Sequence, residues 1–330
     1  VGATEDDDGA SGGGAVHLLT TLGSGDEDLG SATSKLVAAG AGDDFGYAVA
    51  GAGDVDGDGL DDVLVGARFQ DGVGSQSGAA YLFVAPRSGT VSASAATATL
   101  LGEAASDLAG EGLAGGEDLD GDGLSDLVVG ASGAGSYGRV YVFHGPVTGT
   151  VSLSAADARI DGSYLLEQLG EAIALLPDLA GDGYPDLLLG SEHAADEGAA
   201  YVFAGPLSAS ATTADAHATF LGDGTANFDV GSSVASAGDV DGDEVTDVLV
   251  GDRRATGVAV QHGAVYLFYG PHAGARPVED AEMVFAGEGT GDYAGSAVAA
   301  GDVDADGVPD LVIGATGRYG GGAAYLVYGP

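Results

Sequence analysis

Short runs of Val, Leu, Ile and Tyr alternate along the whole chain with segments rich in glycine and aspartate. In one representative stretch, an apolar run from Phe45 is followed by an acidic segment at 54–62 and by a second apolar run that ends at Ala67. Short apolar runs bounded by turn-forming residues are typical of β-strands, whereas a helix needs apolar positions at a spacing of 3.6 residues. No long segment has that spacing. The pattern therefore predicts an all-β protein.

This pattern occurs five times. The acidic segments begin 60 to 64 residues apart, at Asp54, Asp118, Asp178, Asp239 and Asp302. Each is preceded by one predicted strand and followed by a second, then by a third of the type "GAAYLF", and a weaker apolar stretch, as near Leu100 and Phe220, supplies a fourth, outer strand. Four short antiparallel strands in about 60 residues have the size of a β-propeller blade. Glycines at the strand ends suit close packing against the backbone of neighbouring strands.

We therefore predict a single β-propeller domain that covers 1–330. Its expected repeats are a partial one at about 1–44 and five full ones at about 45–107, 108–168, 169–229, 230–293 and 294–330.

Each acidic segment has the spacing D-x-D-x-D-G-x-x-D or a close variant. Such a loop offers a set of oxygen ligands that suits Ca²⁺, namely carboxylates at positions 1, 3, 5 and 9 and a backbone carbonyl at position 7. The glycine at position 6 allows the sharp turn that brings these ligands together. Zinc and copper are disfavoured, because there is no cysteine and the six histidines lie outside these segments. The predicted ligands are, in the first loop, Asp54, Asp56, Asp58, Leu60 and Asp62; in the second, Asp118, Asp120, Asp122, Leu124 and Asp126; in the third, Asp178, Asp182, Tyr184 and Asp186; in the fourth, Asp239, Asp241, Asp243, Val245 and Asp247; and in the fifth, Asp302, Asp304, Asp306, Val308 and Asp310.

The five loops are not equal. The first and second are complete, and the fifth departs only at Ala305, which is not a ligand position. The fourth has Glu244 where the turn glycine belongs, and the third has Ala180 in place of the aspartate at position 3. We expect three to five bound Ca²⁺ ions, with the third loop weakest.

An EF-hand is excluded because its loop needs a bidentate glutamate at position 12 and a helix on each side. Position 12 is apolar here and lies inside a predicted strand: Val65, Val129, Leu189, Val250 and Ile313.

The remaining alternative is a solvated acidic turn without metal. Local backbone hydrogen bonds explain one or two aspartates in a turn, but not four at the same spacing in several turns.

The chain has 330 residues and a formal net charge of −42, yet 45% of the residues are hydrophobic. The hydrophobic content excludes a disordered acidic tail, and the charge argues against nucleic acid and anionic membranes as partners. No cysteine is present, so no disulfide forms, and no apolar run approaches the ~18 residues that a membrane span requires. The chain begins at Val1 without a methionine or a signal peptide, so we expect a longer precursor.

Phe45-Gly46, the aspartate loop and Gly66-Ala67 together resemble the FG-GAP repeat of the integrin α-subunit β-propeller. The stretches "GGGAVHLL" and "GAAYLF" are similar to the third strand of that family. The resemblance covers nearly the whole chain and implies a bladed propeller with calcium loops on the lower face and partner binding on the opposite one. The acidic, cysteine-free sequence is similar to bacterial FG-GAP proteins, which are generally exported or surface-associated.

The sequence departs from that family at two places. Only the first repeat has phenylalanine before the glycine; the others have Ala109, Leu169, Val230 and Ala294. The proline of the "GAP" motif is replaced in every copy, by Arg68, Ser132, Glu192, Arg253 and Thr316.

The chain begins and ends inside a repeat, because Val1 to Ala3 align with the end of a second strand and Pro330 closes a third. A ring of six four-stranded blades needs more strands than the roughly 21 or 22 that the pattern supplies. By the resemblance we expect a segment of a propeller with six or seven blades, at least one of them incomplete.

The function expected from these features is a calcium-binding extracellular module for adhesion or protein interaction, secreted or at the cell surface, and not an enzyme. No nucleophile elbow or zinc motif is present, and the histidines fall at unrelated repeat positions, where surface roles are expected. Two alternatives are a carbohydrate-binding propeller and the non-catalytic propeller of a secreted enzyme. Candidate sugar-stacking rings are Tyr47, Tyr137, Tyr184, Tyr293 and Tyr319, and the loops from Arg68 and Arg253 are candidate contact surfaces.

Overall fold

In a computed structural model of the protein, the described residues are 1–19, 28–85, 87–194, 197–222, 229–256 and 260–329, without the side chain of Tyr319. These residues contain β-strands and short 3-10 turns but no α-helix, which confirms the predicted all-β fold. They include no helix with the length and apolar character needed to cross a membrane. The chain divides into two compact units, unit 1 at Val1–Arg159 and unit 2 at Ile160–Pro330.

Unit 1 is built from short antiparallel sheets. Its strands are β1 (Gly2–Ala3), β2 (Ala15–Leu18), β3 (Ser34–Val37), β4 (Phe45–Gly53), β5 (Asp62–Ala67), β6 (Ala79–Phe83), β7 (Gly89–Ser92), β8 (Ala98–Leu101), β9 (Ala109–Gly115), β10 (Leu127–Ala131), β11 (Arg139–Phe143) and β12 (Gly149–Ser152). Strands β4, β5, β6 and β8 pair in that order, β9, β10 and β11 form the next sheet, and β1, β2 and β3 form the first. Its 3-10 turns are Leu29–Ser31, Ala93–Ala95, Ala134–Ser136 and Leu153–Ala155.

Strand β13 (Ala158–Asp161) contains the boundary between the units. The strands of unit 2 are β14 (Ala172–Leu176), β15 (Asp186–Ser191), β16 (Ala199–Phe203), β17 (Ala211–Thr212), β18 (Ala218–Leu221), β19 (Val230–Gly238), β20 (Asp247–Asp252), β21 (Ala264–Phe268), β22 (Gly274–Pro277), β23 (Met283–Ala286), β24 (Ala294–Gly301), β25 (Asp310–Ala315) and β26 (Ala323–Val327). They form the sheets β14-β15-β16-β18, β19-β20-β21-β23 and β24-β25-β26. Its 3-10 turns are Thr213–Asp215, Val278–Asp280 and Arg318–Gly320.

The strand order in each sheet is the one that the repeat pattern predicts, with the weak fourth strand present as β3, β8, β13, β18 and β23. The structure adds a fifth strand that the sequence analysis missed. Strands β7, β12 and β22 pair in parallel with β3, β8 and β18, respectively, and so cover an otherwise open outer edge. A duplicated "GTVS" at 89–92 and 149–152 was the available sequence signal.

Glycines allow the backbones of successive repeats to approach closely. A Cβ placed on Gly66 would lie 2.0 Å from the carbonyl oxygen of Gly110, and one on Gly190 would lie 2.0 Å from that of Gly231. No side chain fits at such a distance, because the intruding atoms are backbone. The predicted close packing at strand ends is therefore present within each unit, and it places the ends of β5 and β15 against the next repeat.

Candidate metal sites

The five acidic loops connect the first and second strands of their repeats. In the first loop, β4 ends at Gly53 and β5 begins at Asp62, so positions 1 to 8 form the connection and position 9 is already in the strand. Position 9 also begins the second strand at Asp186, Asp247 and Asp310. Position 12 lies in the middle of the strand, at Val65 in β5, which agrees with the exclusion of an EF-hand.

The aspartate at position 1 holds the turn. Asp54 accepts hydrogen bonds from the N–H groups of Gly57 (2.8 Å), Asp58 (3.0 Å) and Gly59 (2.9 Å). The second, third and fourth loops repeat all three bonds. Although burial opposes ionisation of Asp118, bonds of this kind outweigh it and lower the pKa of that carboxyl. This residue is therefore an anion that the loop backbone encloses.

The aspartate at position 9 has a second structural role. Asp62 is 1% exposed, and its Oδ2 accepts the N–H of Val55 (3.1 Å) while Oδ1 accepts the N–H of Ala85 (2.9 Å). The four other loops have the same two bonds, one within the loop and one to the end of the third strand. The predicted ligand at position 9 thus also ties the loop to the sheet.

Burial and charge act differently on these carboxyls. Burial raises the pKa of the position-9 aspartate in the first four loops, to about 6 at Asp126. At Asp310 the hydrogen bond from Gly329 lowers the pKa instead. Neighbouring carboxylates add to the upward shift at Asp62 and Asp247, as expected for like charges held together.

Four loops bring three carboxylates to one point, with one oxygen of each within 4.8 Å of the others. The groups are Asp54, Asp56 and Asp58; Asp118, Asp120 and Asp122; Asp239, Asp241 and Asp247; and Asp302, Asp304 and Asp306. Carboxylates this close repel one another, and a divalent cation between them removes the repulsion. An oxygen-only donor set of this kind fits a hard cation such as Ca²⁺.

The third loop is the exception among the described residues, because Ala180 supplies no oxygen and no group of three forms around Asp178. At position 7, the residues Leu60, Leu124, Tyr184, Val245 and Val308 donate their N–H groups to the aspartate at position 5. Ligation by their carbonyl groups, and the full ligand sets, stay predictions.

Two loop positions need a left-handed backbone. In the first loop these are position 4, Gly57 (φ 78°), and position 6, Gly59 (φ 85°). Glu244 takes φ 69° at position 6 of the fourth loop, where the sequence analysis expects strain. Ala305 takes φ 63° at position 4 of the fifth loop, which the sequence analysis treated as neutral because it is not a ligand position. Glycine at position 4 of the other four loops was the signal for this second requirement.

The two arginine loops contain ion pairs that were not foreseen. Arg68 Nε lies 2.9 Å from Asp44 Oδ2, its Nη1 lies 2.8 Å from Glu111 Oε1, and its guanidinium lies 3.6 Å from the centre of the Tyr47 ring. Arg253 pairs in the same way with Glu192 (2.7 Å) and Asp229 (2.9 Å). Both arginine side chains therefore form ion pairs within their own unit. A contact role for the two loops stays a prediction, and residues 257–259 of the second loop lie outside the described residues.

The expectation that the histidines lie at the surface is wrong for three of them. His17, His262 and His272 are 8%, 4% and 1% exposed. His17 and His262 have a ring nitrogen at hydrogen-bond distance from the carbonyl groups of Leu29 and Gly263, whereas His272 packs edge-on against Phe220. Packing and local hydrogen bonds account for these residues.

The tyrosines proposed for sugar stacking have mixed surroundings. Tyr47 lies under the guanidinium of Arg68, and the Tyr293 hydroxyl donates to Gln261 Oε1 at 3.2 Å. Tyr137 is 43% exposed, Tyr184 is half-buried, and the side chain of Tyr319 lies outside the described residues. Packing thus accounts for the first two rings.

Comparison with known proteins agrees with this geometry. The family model for the FG-GAP repeat matches residues 45–83, 109–143 and 294–327. The chain is 33% identical to integrin alpha-4 of Xenopus laevis over 159 residues (44% of this chain, 14% of that protein) and 32% identical to integrin alpha-PS2 of Drosophila melanogaster over 163 residues (46% and 12%). It is also 32% identical over 167 residues to the phosphatidylinositol-glycan-specific phospholipase D of Bos taurus (46% and 19%). The matches thus span less than a fifth of the length of each of these relatives.

Proposed function

We propose that the chain, three segments of which match the FG-GAP repeat and part of which is similar to integrin α chains, is a calcium-stabilised propeller segment that serves as an extracellular interaction module. The observation that carries the calcium proposal is the convergence of three carboxylates in four of the five loops. The ligands proposed are the aspartates at positions 1, 3, 5 and 9 and the carbonyl at position 7. Position 3 is absent from the third loop.

Bound calcium would act here on stability rather than on chemistry. Sites of extracellular grade bind with dissociation constants of roughly 10⁻⁴ to 10⁻³ M, so each would contribute about 0.4–1.4 kcal/mol at millimolar calcium. Four ions would also change the formal net charge from −42 to about −34 and reduce self-repulsion. Several weak sites together would therefore produce a large effect.

The test is a thermal unfolding series in chelator, followed by back-titration with Ca²⁺ or Mg²⁺. We expect the Tm to rise with calcium in the millimolar range and to respond much less to magnesium, which dehydrates reluctantly and requires stricter octahedral geometry. A Tm that is unaffected by both chelator and calcium would refute the proposal. Asp56→Asn with Asp58→Asn supplies the matched control, because it removes the site in the first loop and leaves the other loops unchanged.

An interaction role, secreted or at a cell surface, is supported by the similarity to integrin α chains. The bacterial origin and the glycan ligand stay expectations from the sequence. The similarity to a phosphatidylinositol-glycan-specific phospholipase D favours a second candidate, the propeller part of an enzyme. Binding of the calcium-loaded chain to arrayed proteins and glycans, compared with hydrolysis of a glycosylphosphatidylinositol substrate, separates the two candidates.

A further inference from the structure

A cavity of about 370 Å³ lies between the first two sheets of unit 1. One wall comes from β2 and β3 with Leu18 and Ser34, and the opposite wall comes from β5 and β6 with Val63 and Phe83. This volume is within the range of ~300–1,000 Å³ that is typical of small-molecule sites. Comparison with the other repeats shows why the space is open here.

Three later repeats fill the corresponding space with a side chain of their own. The residue after the proline that follows the third strand is Val147, Leu207 or His272, and these are 8%, 7% and 1% exposed. Val147 belongs to the core that joins the second and third sheets, and His272 packs edge-on against Phe220. We call this place in the repeat the gap-filling position, and in the repeat that contains the cavity it is occupied by Arg87.

Arg87 lines the cavity without filling it. Its Nε donates to the carbonyl oxygen of Val84 at 2.6 Å, and its Nη2 donates to Thr97 Oγ1 at 3.1 Å. Leu18 and Val63 are therefore only half-buried, whereas Leu82 and Leu127 at the aligned positions are 0% exposed. The cavity is thus a part of the core between sheets that lacks its apolar side chain.

Two charged side chains, Arg87 and Asp61, also line this apolar space. They do not pair with each other, and neither forms an ion pair with any other residue that the structure describes, in a chain with 51 acidic and 9 basic residues. The Nη1 group of Arg87 likewise has no acceptor in the described part of the chain. The cavity therefore presents one positive and one negative group that are too far apart to form an ion pair.

We propose that this cavity binds a free α-amino acid with an apolar side chain, such as leucine. Its carboxylate pairs with the Nη1 group of Arg87, its ammonium pairs with Asp61, and its side chain occupies the space that Val147 and Leu207 fill elsewhere. Such a ligand has no net charge, so neither the net charge of −42 nor the aspartates of the first loop repel it as they would an anion. Both charges on one carbon atom occur in a free amino acid and not in a polypeptide.

The test measures binding of L-leucine to the calcium-loaded chain by ligand-observed NMR at physiological ionic strength. Two controls each remove one charge from the same apolar group: 4-methylpentanoate lacks the ammonium, and 3-methylbutylamine lacks the carboxylate. We expect both to bind at least about tenfold more weakly than leucine. No detectable binding of leucine, or equal binding of either control, would overturn the proposal. Calcium is present in every titration, so this result is independent of the effect of chelator on Tm.

L-Alanine tests the apolar contact, because it has the same two charges but only a methyl group. It cannot reach the walls that Leu18 and Val63 form, so it should bind several-fold more weakly than leucine. Equal binding of alanine and leucine would assign recognition to the charges alone, and it would contradict a ligand that fills the cavity.

Two substitutions of Arg87 separate the space from the charge. Arg87→Val copies Val147, so it should fill the cavity and abolish leucine binding, with a Tm no lower than that of the parent chain. Arg87→Gln leaves the cavity open but removes the charge, so it should weaken leucine binding by about tenfold. Leucine binding that survives both substitutions would contradict a site in this cavity.

Asp61→Asn tests the ammonium contact. This side chain is exposed and is not a predicted metal ligand, and its substitution should weaken leucine binding by about tenfold but not the binding of 4-methylpentanoate. Glu279→Gln removes one exposed carboxylate from unit 2 and is the matched control, which should leave both titrations unchanged. An equal loss of leucine binding in the two variants would assign the effect to net charge and overturn the role of Asp61.

Discussion

The first and third acidic loops have nearly the same backbone but different side chains. Asp54 and Asp178 each accept three N–H groups from their own loops, and Asp62 and Asp186 each connect the loop to the third strand. Only the first loop brings three carboxylates together, because Ala180 replaces an aspartate in the third. The loop therefore folds on positions 1 and 9, while the side chain at position 3 determines whether three carboxylates converge.

This division separates folding from ligand binding within a single motif. Backbone N–H groups satisfy the aspartates at positions 1 and 9 without an ion, so the turn survives the loss of a ligand. Side chains at other positions of the repeat then vary with little consequence for the backbone. Their effects should appear in stability, pH dependence and affinity instead.

The largest expected effect is that of Asp186→Ala at position 9. Its loss leaves the N–H groups of Leu179, Ala180 and Gly205 without an acceptor, which we expect to cost about 3 kcal/mol in chelator. Asp182→Ala, in the same loop but exposed, should cost less than about 1 kcal/mol. The measurement is the urea midpoint of each variant. Equal shifts for the two variants would contradict the division of roles.

The second effect is that of pH at His272. Burial, with repulsion from Arg276, lowers the pKa of this imidazole to about 4, against a weaker opposing hydrogen bond to the backbone of Thr246. The fold favours the neutral imidazole, so the contribution of His272 to the free energy of unfolding is complete above pH 6.5. That contribution is lost as the pH falls from 6.5 towards 4. The loss should reach about 2–3 kcal/mol at pH 4.

His272→Leu removes this loss, and Leu207 and Val147 at the aligned positions show that the site accepts an apolar side chain. We expect the variant to match the parent protein near pH 7 and to have a higher Tm at pH 4. Replacement of the exposed His193 by glutamine is the control and should not reproduce this difference between the two pH values. A variant that is equally stabilised at both pH values would show that packing, rather than protonation, is responsible.

The sequence predicted the features that depend on local spacing. The first strand was expected over "FGYAVAGAG" and runs from Phe45 to Gly53, and the carboxylates at positions 1, 3 and 5 converge as expected in three loops. The features that it missed depend on distant partners. Asp62 bonds to Ala85, 23 residues away, and β12, which belongs to the following repeat, pairs with β8.

The third effect is restoration of the missing ligand by Ala180→Asp. A third carboxylate in the Asp178 loop should raise the calcium affinity of this site by about tenfold, or about 1.4 kcal/mol. Ala180→Asn is the matched control, because it adds an oxygen of similar reach without the charge. Calcium calorimetry should show one additional or tighter site for the aspartate variant and a smaller change for asparagine. No change in either would mean that ligand number does not limit this loop.

The smallest effect concerns the backbone of the fourth loop. Glu244 has φ 69° where the other four loops have glycine, yet its N–H still donates to Asp239 Oδ2 at 2.9 Å. A left-handed non-glycine residue costs about 1 kcal/mol or more, and glycine recovers this at the expense of greater freedom in the unfolded chain. Glu244→Gly should therefore stabilise the chain by only about 0.5–1 kcal/mol, seen as a small rise in Tm. Glu244→Ala removes the same carboxylate but keeps the Cβ, so it should not reproduce the gain. An equal gain from alanine would assign the effect to charge repulsion near Asp239, and the strain at position 6 would then not limit this loop.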